Sequence, residues 1–441
     1  MMSFRSTLAR AALLLCAGSG FPLLLSAESS DSPDEERHHI QEELKRMQQR
    51  LLEMEQRLSE QQAVAATPAA PAGSASPNVF NPQISVILGG KYQHFSRSPG
   101  HFAVPGFLLG EAAGLDERGL ALGESELNFS ANVDNLFYGS LTVSLSPEGG
   151  AEVEEAYFQS LHMPFGLTLK AGRFFSGIGY LNQFHTHHDD FVDRPLPYRA
   201  FLDSQYGDEG VQIRWLAPTD TFLEFGAEVM RGDAFPSAGS AHQGAGAWDL
   251  SAHTGGDVGF SNSWKAGISW LHSTARQRDA FDGQGEPVGS YSGESQLWLA
   301  DFVWKWAPNG NPVNRNFRFQ SELFYRTEKG VLAGTAPAAS YDGRHWGWYA
   351  EGVYRFHPRW KVGFRYSELR ADNSGPAVVS GAILDDQGHI PRRASLVLGF
   401  SNSEFSRIRI QLAQDDSRRK RDYQFSMQYL MLLGAHGAHQ F

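Results

Sequence analysis

From Ile84 onward the chain falls into short stretches in which apolar and polar residues alternate one by one, separated by clusters of turn formers. Trp264, Ala266, Ile268 and Trp270 alternate with Lys265, Gly267 and Ser269. Phe317, Phe319, Leu323 and Tyr325 alternate with Arg318, Gln320, Glu322 and Arg326, and Trp360, Val362, Phe364 and Tyr366 with Lys361, Gly363, Arg365 and Ser367. A period of two predicts strands, because successive side chains point to opposite faces of a pleated backbone. Sixteen such segments are legible, beginning near Ile84, Leu122, Leu136, Glu152, Leu167, Glu209, Thr221, Ala247, Ser263, Gly293, Asn314, His345, Arg359, Arg392, Glu404 and Asp422.

Alternation alone does not separate a soluble sandwich from a barrel in lipid, since both have one apolar face. The connections do. Tight links follow even-numbered segments, at Asp134-Asn135, Pro164-Phe165-Gly166, Ala217 to Asp220, Pro308-Asn309-Gly310, His357-Pro358 and Ser401 to Ser403. Most links after odd-numbered ones are long, such as Ser96 to Ala121, Phe174 to Asp208, Ser273 to Ser292 and Arg370 to Pro391. Short turns on one rim and long loops on the other are the habit of outer-membrane barrels. No segment beyond the N-terminus offers the roughly 18 apolar residues that a spanning helix needs. A membrane location therefore means a closed barrel, the one strand arrangement that satisfies its own backbone in lipid. The expected fold is an all-β transmembrane barrel of about 16 antiparallel strands over residues 81–441, preceded by a helical coiled-coil stalk.

The N-terminal region supports export. Residues 1–27 carry Arg5 and Arg10, then an apolar stretch, then Ser26 and Ala27, the layout of a secretory signal peptide. A membrane anchor is the alternative, but Gly18, Gly20 and Pro22 interrupt a stretch already short for a span. Cys16 is the one cysteine, so the mature chain has neither disulfides nor a thiolate metal site. In residues 34–62, Ile40, Leu44, Met47, Leu51, Met54 and Leu58 recur at heptad spacing, which predicts a coiled coil, with a single amphipathic helix as the alternative. Residues 63–80 are an Ala/Pro-rich linker. A net charge of -11 argues against a nucleic-acid partner, which would require a clustered basic face. A mean hydropathy of -0.36 beside 12% aromatic residues fits a barrel with a lipid-facing belt and a wet lumen.

If the aromatic faces meet lipid, the opposite faces line the lumen. Arg318, Arg326, Arg355, Lys361, Arg365, Arg407 and Arg409 then form one basic wall on neighbouring strands, with Glu224, Glu228 and Asp301 elsewhere around the ring. The alternative is a set of solvated faces with incidental ion pairs. The connection from Phe174 to Asp208 carries Asp189, Asp190, Asp193, Asp203 and Asp208. Folded inward, it would narrow the lumen and set its carboxylates across from the Arg wall as a transverse field. His185, His187, His188 and Asp189 in the same loop offer imidazole and carboxylate donors for a transient zinc or other divalent ion. A hydrogen-bonded polar loop explains the same spacing. No phosphate loop, nucleophile elbow or HExxH helix points to an enzyme.

Signal, coiled coil, linker and sixteen strands together resemble the phosphate-selective porin O/P-like superfamily of trimeric outer-membrane channels. The stretches NPQISVILGGKYQHF (81–95), LGESELNFSANVDNLFYGSLTVSL (122–145) and LKAGRFFSGIGYLNQFHTHHDDFVDRPLPYRAF (169–201) are similar to an uncharacterised proteobacterial family labelled zinc-regulated TonB-dependent outer-membrane receptors. These resemblances imply a Gram-negative outer-membrane location, lipid contact and a homotrimer. They also imply zinc-linked uptake and recognition by the barrel-assembly machinery of a last strand ending at the aromatic Phe441. Three readings follow: a porin for passive diffusion of small polar solutes, linked to zinc or another divalent metal; a TonB-dependent receptor; and a structural barrel tethered by its stalk.

Overall fold

The computed structural model describes residues 82–434 apart from 101, 124, 146–149, 238–243, 282–286, 335–337 and 381. The signal, stalk and linker segments and Phe441 lie outside the described residues. The first strands are β1 (Gln83–Phe95), β2 (Gly119–Leu122), β3 (Glu126–Asn132), β4 (Phe137–Leu145), β5 (Ala151–Ser160) and β6 (Leu167–Phe175). Next come β7 (Gly207–Leu216), β8 (Phe222–Met230), β9 (Ala247–Val258), β10 (Asn262–Phe281), β11 (Pro287–Trp306) and β12 (Asn316–Ala333). The last are β13 (Ala339–His357), β14 (Trp360–Ser374), β15 (Arg392–Ser403), β16 (Ser406–Asp415) and β17 (Asp422–Gly434).

From β3 onward each strand pairs antiparallel with the next, and β17 returns to β1 from Ser85↔Gly434 to Phe95↔Gln424, so the sheet closes on itself. Both β2 and β3 pair with β1, against Gly90–Gln93 and Gln83–Ile87 respectively. They are one barrel strand broken near Gly123, where a side chain would press within 2.9 Å of the Gly89 backbone. The barrel therefore has the sixteen strand positions that the alternation predicts.

Turn chemistry sets one rim. Phe165 and Asn309 take the left-handed conformation at φ 63° and 53°, each followed by a glycine that does the same. The Asp134 carboxylate accepts the backbone N–H groups of Leu136 and Phe137 at 2.7 and 2.8 Å. The opposite rim carries the long connections 96–118, 176–206, 231–246 and 375–391. One expected long loop is absent: much of Ser273–Ser292 is strand, since β10 and β11 continue past a bulge to Phe281 and Pro287. Their inward faces have something to cover at that height. Ala275 and Tyr291 are buried in an apolar cluster with Tyr341 of β13 and with Leu108, Ala377 and Leu384 contributed by the loops.

Outside, two aromatic rows cross the sheet. Trp270, Trp298, Tyr325 and Trp346 are register partners in sequence, as are Trp264, Trp304 and Phe319 below them. The rows lie roughly 20 Å apart along the strands at about 3.3 Å per residue, close to the apolar band of a membrane barrel flanked by its girdles. Between them Ile268, Phe302 and Leu323 are exposed. Placing an arginine there should be costly if this surface meets lipid. Ile268→Arg is expected to lower stability in phospholipid vesicles by about 2–4 kcal/mol in urea titrations, and an unchanged midpoint would contradict a lipid-facing belt.

Candidate channel lumen and its inward loop

The connection between β6 and β7, residues 176–206, folds into the barrel and is held by side chains that the strands aim inward. Glu228 on β8 accepts Gly177 N–H at 2.8 Å, and Ser269 on β10 accepts Gly179 N–H at 3.1 Å. Glu322 on β12, fully buried, accepts the backbone N–H of Tyr180 and Leu181 and the hydroxyls of Tyr198 and Tyr349. Four donors offset the cost of burying that carboxylate. Within the loop, Asn182 donates to the carbonyls of Ser176 and Tyr206, both at 2.8 Å, which clamps the two ends together.

Further along, helix α1 (Leu196–Leu202) lies against β12, β13 and β14. Phe201 stacks on Phe324 at 5.6 Å, and Gly347 is its seat: a Cβ there would meet the Phe201 ring at 2.5 Å. Arg199 ties the helix to the first long loop by donating to the carbonyls of Ala113 and Gly114. That loop buries Phe102, Val104, Phe107 and Leu109 beside Phe201, Leu202 and Leu369 in one apolar core inside the barrel. Each fully buried Phe or Leu contributes roughly 2 kcal/mol, so the inward fold of both loops has its own hydrophobic drive.

The basic wall meets the loop by contact. Asp190 pairs with Arg318 and Lys361, and Asp193 with Arg365 and Arg393. Arg409 donates to the carbonyls of Asp189 and Phe191, and Gln411 accepts Val192 N–H at 2.9 Å. Phe191 sits under Arg365, with Val353 and Val397 beside it. The expected transverse field across an open gap is therefore corrected: these aspartates neutralise the wall directly, because the loop docks onto it.

Other expected site residues are dispersed. Arg326 lies fully buried under α1, over the Phe201 ring and 3.5 Å from Glu328, so it faces no open lumen. Arg355 donates to the Pro358 carbonyl near the short-turn rim, and Arg407 projects inward from β16 near Asp190. Asp203 takes the left-handed position after α1 and packs on Gly110, while Asp208 accepts the N–H groups of Gly232 and Asp233. Neither carboxylate faces the basic wall. Asp189 turns from the histidines to Arg194 at 3.2 Å. Glu224 lines the open side, Glu228 grips the loop and Asp301 lies 3.5 Å from His253. Arg393 and Glu351 were missed as members of the wall, although the alternation of β15 and β13 places both inward.

The loop leaves space on its other side. A cavity of about 600 Å³ is walled by Asn128, Thr142, Tyr157, Lys170, Arg214 and Glu224, with Tyr180, His185 and His188 on the loop face. A second cavity of about 660 Å³, at the short-turn rim, shares Lys305 and Arg318 with it. At the upper end of the first, His185 and His187 meet Glu126, Glu154 and Glu155, three carboxylates that loop spacing alone did not reveal.

Burial alone would raise the Asp190 carboxyl, but Lys361 and Arg318 outweigh it and hold it well below the usual carboxylate range. Burial likewise opposes Arg393 and Arg365 at Asp193, and the arginines prevail. Carboxyls depressed in the folded state stabilise docking at every pH above the ordinary value of about 4, and that contribution is lost as pH falls through the depressed values. Docking should thus persist across mildly acidic to neutral pH and fail only in strong acid. Asp193→Asn, which takes the loop carboxylate from Arg365 and Arg393 and leaves them Glu351 and Asp415, should weaken it by about 1.5–3 kcal/mol. Hydrogen exchange of residues 184–195 would report this at pH 7, and wild-type protection in the variant would refute it.

No family model matches the chain. Among solved structures, the outer membrane channel DcaP of Acinetobacter baumannii aligns with a TM-score of 0.51 at 10% identity, over 80% of this chain and 97% of that one. OprB of Pseudomonas putida aligns with a TM-score of 0.50 at 13% identity, over 80% and 94%. At such identities the likeness is one of fold, an outer-membrane barrel. An uncharacterised protein of Aquifex aeolicus strain VF5 is 32% identical over 346 residues, covering 74% of this chain and 71% of that protein. The chain belongs to the same family as this Aquifex aeolicus protein.

Proposed function

We propose that this barrel is a channel of a Gram-negative outer membrane through which small polar solutes diffuse passively. The observation that carries the reading is the polar space left between the inward loop and the wall built by β3 to β8. A structural barrel with filled interior would need no such lane. Solutes would pass the short-turn rim at Lys305 and Arg318, run beside Tyr157, Lys170 and Glu224, and leave past His185.

The lining mixes signs at short range. Lys170 lies 4.4 Å over the Tyr157 ring, and Arg214 stands 4.0 Å from Glu224. Facing charges of both signs favour dipolar or weakly charged solutes over a single class of ion. Size comes from the loop, whose docking on β12 and β14 to β16 fixes how far it stands from the opposite wall.

Planar-bilayer recording tests the reading. Purified full-length protein should give discrete conductance steps with no energy source, and Lys170→Glu should move the reversal potential toward cation selectivity. A wild-type barrel that inserts yet stays closed, and stays closed when Asp193→Asn loosens the loop, would rule out diffusion along this lane.

A further inference from the structure

We propose that Glu126, His185 and His187 bind a divalent transition-metal ion of the zinc and cobalt class where the lumenal cavity ends. The site goes beyond the channel reading, which supplies the route to it but not the binding. Its donors come from separate elements: Glu126 opens β3, Glu154 and Glu155 lie on β5, and in the inward loop His185 precedes and His187 lies within a single 3-10 turn at Thr186–His188.

The geometry brings one donor atom from each of Glu126, His185 and His187 within 4.8 Å of the others. An ion with bonds of about 2.0–2.2 Å to nitrogen and oxygen fits among donors so spaced after small side-chain rotations. His187 Nδ1 stands 3.2 Å from one oxygen of Glu126, and His185 Nδ1 stands 3.4 Å from the other. The two rings lie face to face with centroids 5.4 Å apart.

A supporting carboxylate orients His185. Its Nε2 meets Glu155 at 2.9 Å, and the second oxygen of Glu155 accepts Phe175 N–H at 3.2 Å, so Glu155 is fixed. When Nε2–H donates to Glu155, the lone pair of Nδ1 points at Glu126 and Glu154. This is the arrangement in which a carboxylate sets the tautomer of a metal-binding histidine. His185 Nδ1 and Glu154 Oε2 then face each other at 3.2 Å, both buried and neither in a hydrogen bond. Two lone pairs held that close repel unless a proton or a metal ion lies between them, and a metal ion would satisfy Glu126 and His187 as well. Three carboxylates around two imidazoles call for more positive charge than the imidazoles supply.

Mixed imidazole and carboxylate ligation favours zinc, cobalt or nickel over calcium or magnesium, which take oxygen donors. His185 and Glu155 also border the 600 Å³ cavity, so an ion in the lumen reaches the site. His188 packs against His187 with ring centroids 4.2 Å apart and planes tilted by 42°, a positioning contact.

Cobalt titration of full-length, metal-stripped protein in detergent tests the site. Visible absorption bands of nitrogen- and oxygen-ligated Co²⁺ should grow to one equivalent and be displaced by Zn²⁺ but not by excess Mg²⁺. Glu126→Gln and His187→Ala should each weaken binding at least about tenfold, and Glu155→Gln by about 10- to 100-fold, while His162→Ala leaves it unchanged. Absent bands in folded wild-type protein, displacement by Mg²⁺, or undiminished binding by the Glu126→Gln/His187→Ala double variant would overturn the site. If the variants do not fold, anomalous diffraction from zinc-soaked wild-type crystals decides: a peak between Glu126 and His187 supports the site, and any other result overturns it. Equilibrium binding in detergent is independent of conduction, so failure here leaves the channel reading intact, and a closed channel leaves this one intact.

Discussion

Backbone hydrogen bonding governs this structure. A strand facing hydrocarbon has no water to bond, so its N–H and C=O groups must go to neighbouring strands. An open sheet would leave two unpaired edges, and the β1–β17 ladder from Ser85↔Gly434 to Phe95↔Gln424 removes them. Closure then creates an inside. With period-two geometry, every strand that presents Ile268 or Leu323 outward must present Gly267 or Glu322 inward.

What the inside does with those residues is the second layer of the structure. Glu228, Ser269 and Glu322 serve as acceptors for a loop backbone that would otherwise have to be solvated. The guanidinium groups of Arg318, Arg365 and Arg393 receive the loop's aspartates, and Phe191 and Phe201 fill hollows left by Gly363 and Gly347. Charge pairing and apolar burial therefore act on one segment together, and the loop can stay inside the barrel.

Much of this was legible before folding, for a simple reason. Parity is local, so alternation placed Arg318, Lys361, Arg365 and Arg409 on the inner face, where they lie. The turns at Phe165-Gly166 and Asn309-Gly310 announce themselves through their residue types. Docking was not legible, because it depends on partners distant in sequence: Asp190 meets Arg318 and Lys361, and Asp203 turns to Gly110. The extension of β10 and β11 was hidden likewise, since Tyr291 is buried only when the loops supply Leu108 and Leu384. The histidines stood out as a group, but the partners they meet, Glu126 and Glu155, come from β3 and β5.

The inward loop touches nearly opposite sides of the barrel, Glu155 on β5 at one flank and Glu322 and Arg318 on β12 at the other. In mechanical terms it is a strut across a thin-walled tube. A tube one sheet thick flattens readily under lateral pressure, and a member fastened to both walls resists that flattening. The space beside the strut thus keeps its cross-section, and its width is set by the length of the strut rather than by the width of the tube.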